Sequence, residues 1–378
     1  QVAQSTRLVD LVHSRIDEFI NTRESIVTTI SPDLTVLVDF SRQFLSGGKR
    51  FRASFAHLGW QSVPAPAGTV PSDPTGDRPG TADRALAGLV SAASALEIFH
   101  AAALVHDDII DSSDTRRGAP SAHRRFESLH GTEGWAGNPA DFGRASAILL
   151  GDLLLGWSDE LLDEGLDDAP DQRSARRSRA EFNRMRTEVT AGQYLDILEE
   201  RAWLTQAEAE LLGRAVRVIV FKSAKYSVQA PLVIGAALAG ADDRHLDALR
   251  AFGLPLGIAY QLRDDLLGVF GDAAVTGKPS GDDLREGKRT VLIALARERL
   301  DTADLGTMDR LLGSPDLSAD QISGLQQMIL DSGAVDRVES MIQENVAEAL
   351  AVLDDSPVEA GVVRQLTEFA GTVTRRAF

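Results

Sequence analysis

Apolar residues recur at three- and four-residue spacing through most of this chain, the signature of amphipathic or buried helices. The clearest case is 82–111, ADRALAGLVSAASALEIFHAAALVHDDIID, rich in Ala and Leu and free of Pro. The same pattern predicts helices over 144–162, 179–199, 206–239, 244–270, 288–300 and 333–353, and no segment alternates with strand period. Several of these helices run uncharged for long stretches. That predicts an all-α fold, a helical bundle with buried central helices around a central cavity. Two segments interrupt the pattern. Residues 61–80 (QSVPAPAGTVPSDPTGDRPG) hold five prolines and three glycines, which predicts a mobile loop. Residues 167–179 (DDAPDQRSARRSR) are strongly charged and read as a solvated connection or a helix start. Helical patterning of similar composition continues on both sides of each, so residues 1–378 are expected to form a single domain.

Composition narrows the chemistry. The 378 residues include no cysteine, which excludes disulfides, thiolate metal sites and a thiol nucleophile. The net charge of −17 argues against nucleic acid and anionic lipid as partners. No apolar run is expected to reach the roughly 18 residues of a spanning helix, and no signal peptide is visible at the start. Together with the missing cysteines, this leads to the expectation of a cytoplasmic protein.

Against this background two aspartate clusters stand out. Asp107, Asp108 and Asp111 close the Ala-rich helix, and Asp264 and Asp265 close a second uncharged one (IAYQLRDD). Residues i and i+4 share a helix face about 6 Å apart along the axis. Asp107 and Asp111 can therefore aim two carboxylates at one point, as Mg2+ requires when substrate phosphates and water complete its shell. Cations follow close behind. Arg116 and Arg117 come just after the first cluster, Lys49, Arg50 and Arg52 follow a Gly pair, and Lys278 and Lys288 trail the second cluster. Lys222 lies in an otherwise apolar helix, where a cation is costly unless it has a function or a partner. Carboxylates and cations in this combination suit a diphosphate leaving group with several Mg2+ ions.

At these residues the chain resembles the trans-isoprenyl diphosphate synthase (polyprenyl synthetase) family. GGKRFR resembles the family's GGKRLRP, DDIIDSSDTRRG its first aspartate-rich motif, and GQYLDI its GQxxD motif. YQLRDDLLGVFGD with GKPSGDDLREGK resembles the second motif and its tail, over roughly residues 46–290. The resemblance implies the isoprenoid synthase fold, Mg2+ dependence and a homodimer. It implies Mg2+ on Asp107, Asp111 and Asp264, with Asp108 and Asp265 as supporting acids. It implies that Arg116, Lys222, Ser223, Gln261 and Lys278 hold the allylic diphosphate, and that Lys49, Arg52, His100 and Arg117 hold isopentenyl diphosphate. Gln193 and Asp196 fall on GQxxD, Asp196 near the metals or Lys222, and Lys288 is a further base near the diphosphates. His100 lies seven residues before Asp107 on the same helix face. Three positions depart from the family pattern. Gly268 stands where a third aspartate is common, Ala53 stands where Pro is common, and the lysine segment (KSAKYSV) is a residue longer before Gly235.

The implied reaction joins isopentenyl diphosphate head-to-tail to an allylic primer, dimethylallyl, geranyl or farnesyl diphosphate. The growing tail is expected to run down the helix of the first cluster. Ala102 and Ala103 leave room there, and Phe99, about 12 Å back along the axis, is a candidate floor. Geranylgeranyl diphosphate is the expected product. Farnesyl or longer products, a class I terpene cyclase and a non-catalytic partner subunit are the alternatives.

Overall fold

The computed structural model describes residues 2–64, 81–271, 280–314 and 316–375. The described part of the chain is almost wholly helical, as the apolar spacing predicts. The part of the expected loop at 65–80 lies outside the described residues, as does Lys278.

Two compact units divide the chain, residues 1–179 with 231–242, and residues 180–230 with 243–378. The first contains α1 (Val2–Ile30), α2 (Thr35–Leu45), α3 (Phe51–Gln61), α4 (Thr81–Ile110), α5 (Ala122–Glu133) and α6 (Pro139–Asp167). α4 is its core helix. Ala92, Ala93, Ala95, Leu96, Ile98, Ala101 and Ala102 are all buried, and small side chains let neighbouring helices approach closely. Ser158 of α6 donates to the Ala95 carbonyl at 2.7 Å, and α1 lays a stripe of Val12, Ile16, Phe19 and Ile20 into the interior.

α4 also corrects an expectation. By length and composition it is apolar enough to cross a membrane. Its apolar window is nevertheless 83% buried inside the protein. The apolar character therefore reflects burial within the unit on all sides.

α7 (Gln172–Ala202) begins in the charged 167–179 segment, which is a helix start. The second unit continues with α8 (Glu208–Val218), whose helical run passes without a break through a π-helical segment, Ile219–Gln229, into α9 (Ala230–Leu238) of the first unit. It then holds α10 (Asp243–Phe270), α11 (Asp282–Glu286), α12 (Val291–Arg297), α13 (Thr302–Leu311), α14 (Ala319–Asp331), α15 (Ala334–Leu353) and α16 (Ala360–Arg375). On α10, Leu246, Leu249, Phe252, Leu256, Ala259, Leu262, Leu266 and Val269 recur every three or four residues and are shut from solvent. Each large side chain so buried contributes about 1.5–3 kcal/mol. Arg263 on the same helix is buried too, and its guanidinium forks onto both Glu339 oxygens of α15. These contacts fix the end of α10, which carries the second aspartate pair.

Candidate active site

In the first unit, the Asp111 N–H donates to the Asp107 carbonyl at 2.8 Å, so the last helical turn runs on through Asp111. Asp107 and Asp111 therefore share a face, and Asp108 is turned inward with no solvent exposure. The chain then reverses. Ser112 takes a left-handed conformation, and Thr115–Arg116 pairs with Ala119–Pro120 around Arg117 (φ 53°) and Gly118 (φ 75°). This small hairpin returns Arg116 to the helix end. Its Nε donates to Asp108 Oδ1 at 2.9 Å, its Nη2 bonds the same oxygen, and Nη2 lies 3.6 Å from Asp107 Oδ2. Burial raises the Asp108 carboxyl above its ordinary range, and Arg116 opposes part of that rise. Asp108 is thus an anchor for Arg116.

The donors at this helix end fit Mg2+. They are hard carboxylate oxygens, and Asp108 Oδ2 is a buried oxygen without a protein partner. Among the described residues no group of three His, Cys, Asp or Glu side chains could hold a metal by itself. A Mg2+ held by one or two carboxylates and completed by substrate phosphates needs no such cage.

His100 lies partly buried further up α4. Its imidazole is held well below the ordinary range, first by burial and then by the positive charges of Arg52, Arg117, Arg116 and Arg50. It is therefore neutral at pH 7. Lys49 is exposed and Arg52 half-buried. Gly48, at φ 88°, brings its turn against Arg117, where a side-chain Cβ would come 3.2 Å from Nη1. The structure thus gathers the GGKRFR turn, His100 and the two arginines in one unit. Phe99 and Ala102 are buried and Ala103 half-buried on the same helix. His106 reaches the Ile148 carbonyl at 3.2 Å, and His130 packs with Trp135 and Phe142. These two are packing residues.

In the second unit, Lys222 and Ser223 sit in the π segment. A π turn accommodates an additional residue in a helical run, which accounts for the longer spacing before Gly235. Two glycines hold the widened turn. A Cβ on Gly192 of α7 would fall 2.4 Å from the Lys222 nitrogen, and one on Gly257 of α10 would fall 2.6 Å from the Ala224 carbonyl oxygen. Lys222 Nζ bonds Asp196 Oδ2, so the GQxxD aspartate and the lysine meet as expected, with Gln193 one turn before Asp196. Lys225 pairs with Glu188 at 2.7 Å.

At the end of α10, Gln261 Nε2 donates to Asp265 Oδ1 at 2.8 Å. Asp265 is buried and its carboxyl is pushed up to about 8. Burial is the main cause, the Gln261 bond opposes it, and the Asp283 and Asp264 charges add to it. Asp264 is half-buried beside it. A Cβ on Gly268 would fall 1.9 Å from Asp283 Oδ2, so a carboxylate of α11 fills the room beside the missing third aspartate. Lys288 lies 3.3 Å from Asp283 and 2.7 Å from Glu286. Gln261 and Lys288 are thus engaged with acids of their own unit in this structure.

The sequence reading missed Glu97 and counted Arg50 only among the cations after the Gly pair. Both are buried, with Arg50 Nη1 3.6 Å from Glu97 Oε2. The signal was present as a lone glutamate in an apolar stretch of α4.

The chain resembles known proteins along nearly its whole length. It superposes on a crystal structure of geranylgeranyl pyrophosphate synthase from Corynebacterium glutamicum, complexed with isoprenyl diphosphate and magnesium. The TM-score is 0.86 at 38% identity, covering 98% of this chain and 99% of that one. It is 33% identical to geranylfarnesyl diphosphate synthase of Natronomonas pharaonis over 95% of this chain and 96% of the relative. It is 28% identical to geranylgeranyl diphosphate synthase of Sulfolobus acidocaldarius over 95% and 97%. Residues 35–329 match the Polyprenyl synthetase family. Two aspartate-rich helix ends, the arginine hairpin and this match together make the chain a member of the polyprenyl synthetase family, a trans-prenyltransferase.

Proposed function

We propose that the chain joins isopentenyl diphosphate head-to-tail to an allylic diphosphate (dimethylallyl, geranyl or farnesyl), repeating the condensation until geranylgeranyl diphosphate is reached and releasing one inorganic diphosphate at each step. One observation carries the reading: the charges of Arg52 and Arg117 act on the neutral His100, and Gly48 of the Lys49–Arg52 turn packs against Arg117, in a protein of net charge −17. Such a local concentration of cations is an anion site. A second diphosphate subsite, apart from the carboxylates, distinguishes a condensing enzyme from a cyclase, which binds one diphosphate.

Lys49, Arg52, His100 and Arg117 hold isopentenyl diphosphate, His100 as a neutral donor. Arg116, Lys222, Ser223, Gln193, Gln261, Lys278 and Lys288 serve the allylic diphosphate. Lys222 and Arg116 meet charge that grows on the leaving oxygen as the allylic C–O bond breaks. The isopentenyl double bond then attacks the allylic cation, and the joined product passes a proton to the departing diphosphate. Mg2+, held by Asp107 and Asp111 and by Asp264, would supply further positive charge to the departing diphosphate. The family match runs through both units, which supports reading them as one synthase domain.

Incubation with labelled isopentenyl diphosphate, each primer and Mg2+, followed by chromatography of the dephosphorylated products, tests the reading. Incorporation into a C20 alcohol is expected, and no incorporation by the pure protein overturns it. The small Ala102 and Ala103 and the geranylfarnesyl-forming relative favour geranylfarnesyl diphosphate as the second reading. Phe99→Ala should lengthen the product by about one isoprene unit, and an unchanged product removes Phe99 as the floor.

The chain is also proposed to act as a homodimer. α6 exposes Ile148 (45%) and Leu149 (64%) side by side, an apolar face suited to a second copy. Leu149→Glu should shift the protein towards monomer in sedimentation velocity, and an unaltered dimer would exclude this face.

A further inference from the structure

A buried ion pair lies beneath the turn that carries Lys49 and Arg52. Arg50 is the residue before α3 and takes a left-handed backbone, φ 46° and ψ 46°. That conformation is unfavourable for a side chain with a Cβ and persists only where surrounding contacts enforce it. Buried contacts enforce it here. Arg50 is 5% exposed, and its Nη1 lies 3.6 Å from Glu97 Oε2. Its Nη2 donates to the Leu45 carbonyl at the end of α2 and lies 3.1 Å from His13 Nδ1 of α1. Glu97, 7% exposed, accepts the Ala53 N–H through Oε1 at 3.1 Å. It thereby satisfies one of the donors left open in the first turn of α3.

Glu97 therefore grips the turn at two points, its arginine and the start of the helix behind it. Between these points, and just before them, stand Gly47 and Gly48, also at positive φ, then Lys49 and Arg52. Glu97 is three residues before His100 on α4, so the same helix face carries the grip and the neutral imidazole. Lys49, Arg52 and His100 of the isopentenyl diphosphate subsite are thus referred to one carboxylate that is too deep to meet a substrate.

We propose that Glu97 and Arg50 are positioning residues that set the distance between the Lys49–Arg52 turn and His100, and so fix the affinity for isopentenyl diphosphate. Neither touches the substrate. This inference rests on the assignment of that subsite made above. A diphosphate needs several cations at once, and a displaced turn would lose part of that set while leaving the first aspartate motif in place.

Two variants test it. Glu97→Gln keeps an acceptor for the Ala53 N–H but leaves Arg50 buried without an opposing charge. The double variant Arg50→Met with Glu97→Met removes both charges, which generally restores or preserves stability while abolishing the pairing. In both, the KM for isopentenyl diphosphate should rise by about tenfold or more, with the KM for farnesyl diphosphate changed less than about twofold. Thermal unfolding of the same samples reports the fold. A purely structural role predicts that the double variant regains a normal KM along with normal stability, and that result would overturn the proposal. If Glu97→Gln fails to fold, the double variant decides alone. Wild type that incorporates no isopentenyl diphosphate would instead refute the functional assignment itself.

Discussion

The two aspartate motifs end their helices in similar sequence but in opposite electrostatic settings. The first is backed by a cation. Asp108 is fully buried, and the hairpin brings Arg116 to it, within 3.6 Å of Asp107 as well. The second is backed by an amide and by more acids. Asp265 rests on Gln261, faces the charges of Asp264 and Asp283, and holds its proton up to about pH 8. Burial raises both carboxyls, but at Asp108 an arginine charge opposes the rise, whereas at Asp265 only an amide does so among added acidic charges. The lesson is that paired aspartates of one spacing need not carry equal charge.

The largest expected effect tests the first half of that contrast. Arg116→Met leaves Asp108 buried and unpaired, which should cost about 3–5 kcal/mol. A fall in thermal unfolding temperature, reversed in part by adding Asp108→Asn, is the expected result. A smaller effect tests the second half. Gln261→Met removes the matching partner of Asp265, but the carboxyl there is largely protonated near neutral pH. The cost should be about 1–2 kcal/mol, that of one buried hydrogen bond. Equal losses in the two variants would erase the distinction.

A third effect is a slope against pH, not a loss at one pH. Asp265 titrates near 8 in the folded chain, against an ordinary carboxyl value of 3.8. Between those values the folded state holds a proton that the unfolded state has released, so this group makes stability fall as pH rises. In Mg2+-free buffer, Asp265→Asn should flatten the decline of unfolding temperature between about pH 5 and pH 8. A slope as steep as wild type would show that Asp265 is already charged.

The helices were legible because their cause is local. Spacing of apolar residues on α4 and α10 announces burial whatever the partners are. Asp107 and Asp111 were legible for the same reason, since a shared face follows from helical rise alone. The meeting of Lys222 with Asp196 was one of two placements the sequence left open for that acid. The pairing of Glu97 with Arg50 was not legible, although a lone glutamate in an apolar helix is a signal that some partner exists. Its partner is 47 positions away in sequence, on a turn whose left-handed backbone no local propensity favours. Gly268 put the outer ligand of the second motif in doubt, though not the activity, since Asp264 remains. The structure shows the Asp283 carboxylate occupying that room, a substitution that spacing cannot reveal because α11 arrives from another part of the chain.

By itself, then, the sequence determined the helices, the aspartate faces at their ends and the cations available for a diphosphate, because each follows from residue type and short-range periodicity. The tertiary structure decided which of two adjacent aspartates is buried, which one keeps its proton, which arginine is a ligand candidate and which is a strut. Those outcomes depend on desolvation and on charges brought together from distant positions, and neither quantity exists until the chain has folded.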